Sequence, residues 1–293
     1  MEKMKTILPE NLPTAQLHGY LLGAIGPRPI AFASTVDAQG RPNLSPFSFF
    51  NVFGANPPVL IFSPARRVRN NTTKHTLENV QARPEVVINV VNYDIVQQMS
   101  LSSTEYAQGV NEFEKAGLTM LASETVAPFR VAEAPVQFEC QVTKIEALGQ
   151  DGGAGNLIFS EVKRIHIHEN VLNDQGGIDQ HKIDLVARMG GNWYSRANAG
   201  MFEVPKPLST LGIGVDALPK AIRQSTVLTG NDLGMLANVE ALPDTDTVAS
   251  FWANQPELQT IIATKGEIEI HRLAQESLIK GDVSTAWMLL AKA

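Results

Sequence analysis

Cysteine is all but missing from this chain: among 293 residues there is only Cys140. An internal disulfide is excluded, and so is a cysteine-built structural zinc site, which needs about four ligands. The stretch around it, EAPVQFECQVTKI, alternates as a strand does. A small core thiol is therefore the stronger reading, since no base for a nucleophile can be placed beside it. Long apolar runs are also lacking. No stretch approaches the ~20 apolar residues of a membrane span. The start, MEKMKTILPENLPTAQLHGYLLG, has no continuous apolar core followed by a small-residue cleavage site. A soluble cytoplasmic protein is the expectation. Positive charge is in deficit, with 24 Lys and Arg against 30 Asp and Glu and a formal net charge of −6. That balance argues against a general nucleic-acid binder, while leaving room for a local basic pocket that takes a small anion. The glycines of GQDGGAG lack the strand-before, helix-after setting of a phosphate loop. There is no internal repeat and no low-complexity tract.

What the chain does have is 44% hydrophobic residues, enough for a sizeable core, and many short strand-like segments. From about Arg28 to Ile167, turns punctuate runs such as PRPIAFASTV, PPVLIFSP, PEVVINVVN, APVQFECQVTKIEAL and GNLIFSEVKRIHIH. DAQG supplies a turn after the first run, and RPNLSPFSFFNVF reads as one returning strand of a hairpin. Pro46 calls for an edge or bulge position, because it has no N–H to donate. Thr72 or Thr73 can cap a helix carrying Leu77 and Val80 that ends before Pro84, and YDIVQQMSL reads as a second short helix. This pattern predicts a mainly β fold, an antiparallel barrel or sandwich rather than a doubly wound parallel sheet. Near FEVPKPLSTLGIG the pattern changes, with two prolines and two glycines at a plausible boundary. Residues 1–204 are expected to form the β domain and 205–293 a helical C-terminal extension. Helices are expected near Val248 and Pro256, followed by one long or two packed helices that break at Gly281–Asp282.

The hairpin places Ser34, Thr35, Asn43, Ser45 and Ser48 among apolar residues. A buried polar group without a partner costs about 1–3 kcal/mol, so these side chains either face water or meet something that wants hydrogen bonds. TTKHTLENV sets Lys74 and Thr76 at a helix start, just after Arg66, Arg67 and Arg69. Free N–H groups and partial positive charge suit an anion there. Taken singly, each feature is more often a capped, solvated helix end or a surface charge pair. His166 and His168 in RIHIH share a strand face, but no third or fourth metal ligand accompanies them, and a solvated or interface pair is the better reading. Gly190–Gly191 implies a close backbone approach.

The segments GPRPIAFASTVDAQGRPNLSPFSFFNVFGANPPVLIFS, KHTLENV, EVVINVV, GVNEFEKAGL, APVQFEC and ARMGGNWYSRA together resemble the flavin reductase-like family of FMN-binding split barrels. The resemblance runs over roughly residues 20 to 200 and leaves the tail unassigned. It implies a split antiparallel barrel that binds FMN, dimeric, with the flavin near the subunit interface. Thr35, Ser48 and the backbone around Pro46 and Phe47 would meet the flavin and its ribityl chain, with Asn51 a further candidate. Lys74 and Thr76 would hold the phosphate, in Lys-His-Thr where family members commonly carry Lys-Asp-Thr, and Ser63 and Arg28 would complete the pocket. Trp193 and Tyr194 could wall the site or simply pack. NADH or NADPH would be the electron donor, and the acceptor a flavin-dependent monooxygenase or another partner. No protein side chain is assigned as catalytic, since the flavin carries the hard step. Many family reductases have Gly-Asp-His where this chain has Gly155–Asn156. Asn156 is therefore a substrate-contact candidate that cannot become cationic, which keeps open an alternative, an FMN-binding electron carrier without significant NAD(P)H oxidation. A third reading is an interaction protein whose helical tail matters and whose barrel is a relic.

Overall fold

The computed structural model describes residues 3–207 and 211–291. The chain forms two compact units, Met1–Phe202 and Glu203–Ala293. In the first, strands β1 (Ala31–Val36), β2 (Pro42–Phe47), β3 (Phe50–Ala55), β4 (Pro58–Phe62), β5 (Glu85–Val90), β6 (Met120–Leu121), β7 (Arg130–Val131), β8 (Val136–Ala147), β9 (Asn156–Ile167), β10 (Val186–Arg188) and β11 (Tyr194–Arg196) follow one another. Helices α1 (Thr14–Ala24), α2 (His75–Ala82), α3 (Val96–Leu101), α4 (Glu112–Ala116) and α5 (Gln180–Ile183) lie among them. Seven strands build one sheet in the order β2-β1-β5-β8-β9-β4-β3, and every pairing in it is antiparallel.

RPNLSPFSFFNVF is not one strand. Ser48 and Phe49 separate β2 from β3, and the two stand at opposite ends of the strand order. Only a sheet that curls until its ends meet can be linked by so short a connection, and the ends do not pair with each other. This is a split antiparallel barrel. The 12-residue strands β8 and β9 carry two register shifts, at Glu139/Cys140 and Val142/Lys144. Such bulges bend a strand and let it follow the curve.

All six residues of β1 are buried, so its two faces serve two cores rather than one core and water. Ala31 and Ala33 join Phe47, Phe62, Leu77, Val80, Ile88, Cys140 and Ile158 on one side. Ile30 and Phe32 join Leu44, Ile95, Met99 and Phe113 on the other. Burying side chains of this size is worth about 1.5–3 kcal/mol each.

β2 is the edge strand that Pro46 required. The Leu44 N–H points away from β1 and donates to Glu112 Oε2 at 3.0 Å. With the strand period of two, Pro42 and Pro46 fall in the same outward-facing set, where no N–H is left unpaired. Helix α2 starts at His75 with Lys74 at its cap position, not at Thr72 or Thr73. Thr72 Oγ1 and the Thr73 carbonyl accept from the Arg67 guanidinium, while the Thr73 hydroxyl donates to the Glu78 carboxylate of the helix rather than to a backbone N–H.

The second unit is helical: α6 (Lys220–Arg223), α7 (Gly230–Ala237), α8 (Thr245–Ala253), α9 (Pro256–Lys265), α10 (Glu267–Ile279) and α11 (Val283–Leu290). Asp244 caps α8, which starts at Thr245, three residues before Val248, and Asp282 caps α11 after the break at Gly281. Thr229 and Asp232 form a reciprocal capping box on α7. Leu236, Trp252, Ile270, Leu278 and Trp287 fill its core. Leu208, Ser209 and Thr210 of the expected boundary lie outside the described residues.

Candidate functional site

Two cavities adjoin each other on the outward side of β2. The larger, of about 540 Å³, is lined by Ile30, Pro46, Ser48, Gln97, Met99, Ser100, Ser103, Arg188, Asn192 and Tyr194. It lies between the edge strand, helix α3 and the β10–β11 hairpin. The Arg188 guanidinium stacks 4.6 Å from the centre of the Tyr194 ring, so one wall is both aromatic and cationic. The smaller, of about 20 Å³, is lined by Asn43, Ser45, Arg67, Lys74, Thr76, Ser102, Ser103, Thr104 and Glu105, among others. Ser103 borders both. Along β2 and just past its end, the succession Asn43, Ser45, Pro46, Ser48 runs from the cationic end to the larger cavity, a track of ~17 Å at strand rise.

The cationic end is built by local geometry. Arg66 donates to the Asn71 side chain and carbonyl, fixing the loop in which Asn71 adopts a left-handed φ of 54°. That loop presents Arg67 and Arg69 beside the start of α2. Burial depresses the Lys74 ammonium below its ordinary range, Arg67 adds to this, and Glu105 opposes it. Glu105 is held below its usual range by hydrogen bonds from Arg67 and Arg69. Three cations and the N–H groups of a helix start, offset by Glu105 and by the buried Glu112 that also lines the cavity, suit a small anion.

The residues expected from the sequence fall into three groups. Pro46, Ser48, Lys74 and Thr76 line the two cavities. The Phe47 side chain turns to the other face and packs on Phe62, with ring centres 5.4 Å apart. Thr35 is wholly buried, and its hydroxyl accepts from Asn79 at 3.0 Å and Asn43 at 3.4 Å. Asn43 also donates to Thr76 Oγ1 at 3.0 Å. This network accounts for Thr35 and Asn43 in the hairpin, whose hydrogen bonds seat α2 on the sheet, whereas Ser34 Oγ is buried without a partner.

Arg28, Ser63, Asn51 and Asn156 line neither cavity. The Arg28 guanidinium is committed to the carbonyls of Leu22, Ile25 and Met189. Ser63 Oγ accepts the Asn156 N–H at 3.0 Å, while Asn156 Nδ2 donates to the Pro64 carbonyl at 2.9 Å. That pair joins the end of β4 to the start of β9. Asn51 is exposed on β3. Sequence reasoning had not singled out Arg188, Gln97 or Ser102–Glu105. Arg188 stands inside ARMGGNWYSRA, and SLSST, at the end of α3 and just past it, is a run of hydroxyls visible in the sequence.

The other sequence candidates resolve plainly. His166 Nε2 lies 2.7 Å from Glu139 Oε1, so His166 is engaged rather than paired with His168. Ile165 and Ile167, on the opposite strand face, are exposed. Among the described residues no cluster of His, Cys, Asp or Glu could hold a metal. Gly190 does make the close approach, since a Cβ there would meet Gly23 Cα at 3.2 Å.

The domain model of the Flavin reductase like domain matches residues 24–182. The chain belongs to that family, a class of split-barrel flavin oxidoreductases whose cofactor is a flavin. An uncharacterized protein of Aquifex aeolicus is 37% identical over 181 residues, covering 62% of this chain and 90% of its own. The crystal structure of nitrilotriacetate monooxygenase component B from Bacillus cereus matches 70% of this chain and 100% of its own, at 28% identity and a TM-score of 0.65. A flavin reductase with a split barrel domain from Shewanella frigidimarina matches 68% of this chain and 96% of its own, at 26% identity and a TM-score of 0.57.

Proposed function

We propose that the track along β2 binds FMN, with its phosphate at the Lys74 end and its ring in the larger cavity. The protein then acts as an NAD(P)H-dependent flavin reductase that passes reduced flavin or electrons to a partner enzyme. One observation carries this: a 540 Å³ cavity with an aromatic wall continues, past Ser103, into a cluster of cations at a helix start. The donor set fits the group. Arg67 and Lys74 would neutralise a phosphomonoester. The hydroxyls of Ser48 and Ser103 suit a polyhydroxy chain, and Ile30, Pro46, Met99 and Tyr194 exclude water from a ring. Bound flavin supplies acceptance of a hydride and onward release of electrons. The chain's own task is to bind, orient and shield it, with Arg188 supplying positive charge at the ring end.

The relation to a monooxygenase component supports a flavin-dependent monooxygenase as one partner. A homodimer is supported by apolar surface on the edge strand β3, where Val52 and Phe53 are 63% and 65% exposed. The test is a fluorescence titration with FMN, followed by anaerobic mixing with NADH and NADPH. Flavin bleaching on the timescale of turnover is expected, and a protein that binds no flavin would end the proposal.

A second reading, an FMN-binding electron carrier, draws on Asn156. Where many family reductases carry histidine, this side chain is buried and donates to Pro64. FMN binding without NAD(P)H bleaching would select it.

A further inference from the structure

We propose that Glu105 sets the affinity and exchange of the flavin, its carboxylate closing the anion subsite until a phosphate displaces it. The inference rests on the flavin reading above and goes on to how that site is regulated. Glu105 Oε1 lies 3.1 Å from Arg67 Nε and 4.0 Å from Lys74 Nζ, while Oε2 lies 2.7 Å from Arg69 Nη2. One carboxylate thus spans the cations on which the anion reading depends. The space left beside it is about 20 Å³. That holds roughly one water and not a phosphate group. The subsite is complete in its charges and closed in its volume.

The surroundings show which part can yield. Arg67 is anchored, because its guanidinium also donates to Thr72 Oγ1 and the Thr73 carbonyl. Arg69 is on the rim, with 75% of its side chain exposed. Glu105 belongs to the segment between α3 and α4. That segment is pinned at its start by Ser102, whose hydroxyl donates to the Met99 carbonyl, and contains Gly109 at a φ of +85°. Letting go of Arg67 and Lys74 while keeping Arg69 moves the carboxylate outward. A phosphomonoester brings nearly twice the charge of a carboxylate to the same donors, so it wins the exchange. Against water alone it would bind more tightly than it does against Glu105. In the flavin-free protein the carboxylate also relieves repulsion among three cations. FMN held this way exchanges readily, as befits a flavin that leaves with its electrons.

The test compares wild type with Glu105→Gln and Glu105→Ala, titrated with FMN, riboflavin and inorganic phosphate. Exposed ion pairs of this kind are individually weak, so the combined gain is expected at about tenfold tighter FMN binding in both variants. Inorganic phosphate should tighten similarly, and riboflavin, which lacks the phosphate, should not change. FMN affinity that is unchanged or weaker in both variants, with binding retained, overturns the proposal and gives Glu105 the role of aligning the cations. Inorganic phosphate that binds all three forms alike overturns it as well. If phosphate tightens but neither flavin binds any form, the closure by Glu105 stands and the flavin reading fails.

Discussion

Asn43 Nδ2 lies 3.0 Å from Thr76 Oγ1, a buried bond that ties the edge strand to the first turn of the helix beside the cation cluster. The same amide reaches Thr35 Oγ1 at 3.4 Å, and Thr35 also receives Asn79 at 3.0 Å. Replacing Asn43 by Ala leaves Thr76 without this partner in a region closed to water. We expect a loss of about 1–3 kcal/mol in urea unfolding. Thr35→Val removes both bonds, but the Asn43 amide keeps Thr76 as acceptor, so the cost should come chiefly from the buried Asn79 amide. An Asn43→Ala midpoint indistinguishable from wild type would show that the network does not seat the helix.

A second expectation concerns acid. Burial pushes the Glu139 carboxyl up, but hydrogen bonds from Thr125, the Glu124 N–H and His166 outweigh it and hold the group at about 2 against an ordinary 4.5. Its folded value is depressed, so its contribution is present above about pH 4.5 and is lost as pH falls toward 2. The linkage amounts to at most about 3 kcal/mol. Stability measured by denaturant at pH 7, 4 and 3 should converge between wild type and Glu139→Gln as pH drops. Other hydrogen-bonded carboxylates, such as Asp37 and Asp184, are also held below their ordinary range and lose stability in acid. The difference between the two proteins is therefore the informative quantity, and a gap that persists unchanged at low pH would contradict the assignment.

The lone thiol offers a direct probe of opening. Cys140 is fully buried on β8, and burial pushes its pKa upward. The thiolate is the reactive form, so a disulfide reagent such as Ellman's should label the native protein very slowly. Labelling should quicken in urea as the barrel unfolds. Prompt stoichiometric labelling in buffer would mean that β8 opens far more easily than its pairing on both sides implies.

The sequence showed strands and turns, the edge role of Pro46 and the cation-bearing helix start well, because each rests on residues near one another in the chain. It did not show where the chain changes ends of the sheet. Ser48–Phe49 looks like an irregularity inside one strand, since the break depends on how β9 and β4 curl round to meet β3. Thr35 was recognisable as a polar group needing partners, but its partners Asn43 and Asn79 come from other elements. The same holds for Ser63 and Asn156, which meet across 93 positions. Arg188 was hidden for a related reason: its place beside Pro46 and Ser48 is set by the β10–β11 hairpin folding back, which no local pattern announces.

The helical unit makes a last expectation, about its own core. Trp287 on α11 is buried, and its indole N–H donates to the Leu236 carbonyl of α7 at 3.0 Å. It thus both fills volume and satisfies one of the carbonyls left open at the end of a helix. Trp287→Ala removes the ring and should cost about 3–5 kcal/mol, the range for large aromatic truncations in a packed core. Trp287→Phe keeps most of the apolar area and forfeits chiefly the hydrogen bond, so a loss of about 1 kcal/mol is expected. Urea unfolding followed by far-ultraviolet circular dichroism separates the two. The helical unit contributes most of the chain's helix, so its transition dominates that signal. Equal losses from the two substitutions would show that the carbonyl bond, not the packed ring, is what holds α11 in place.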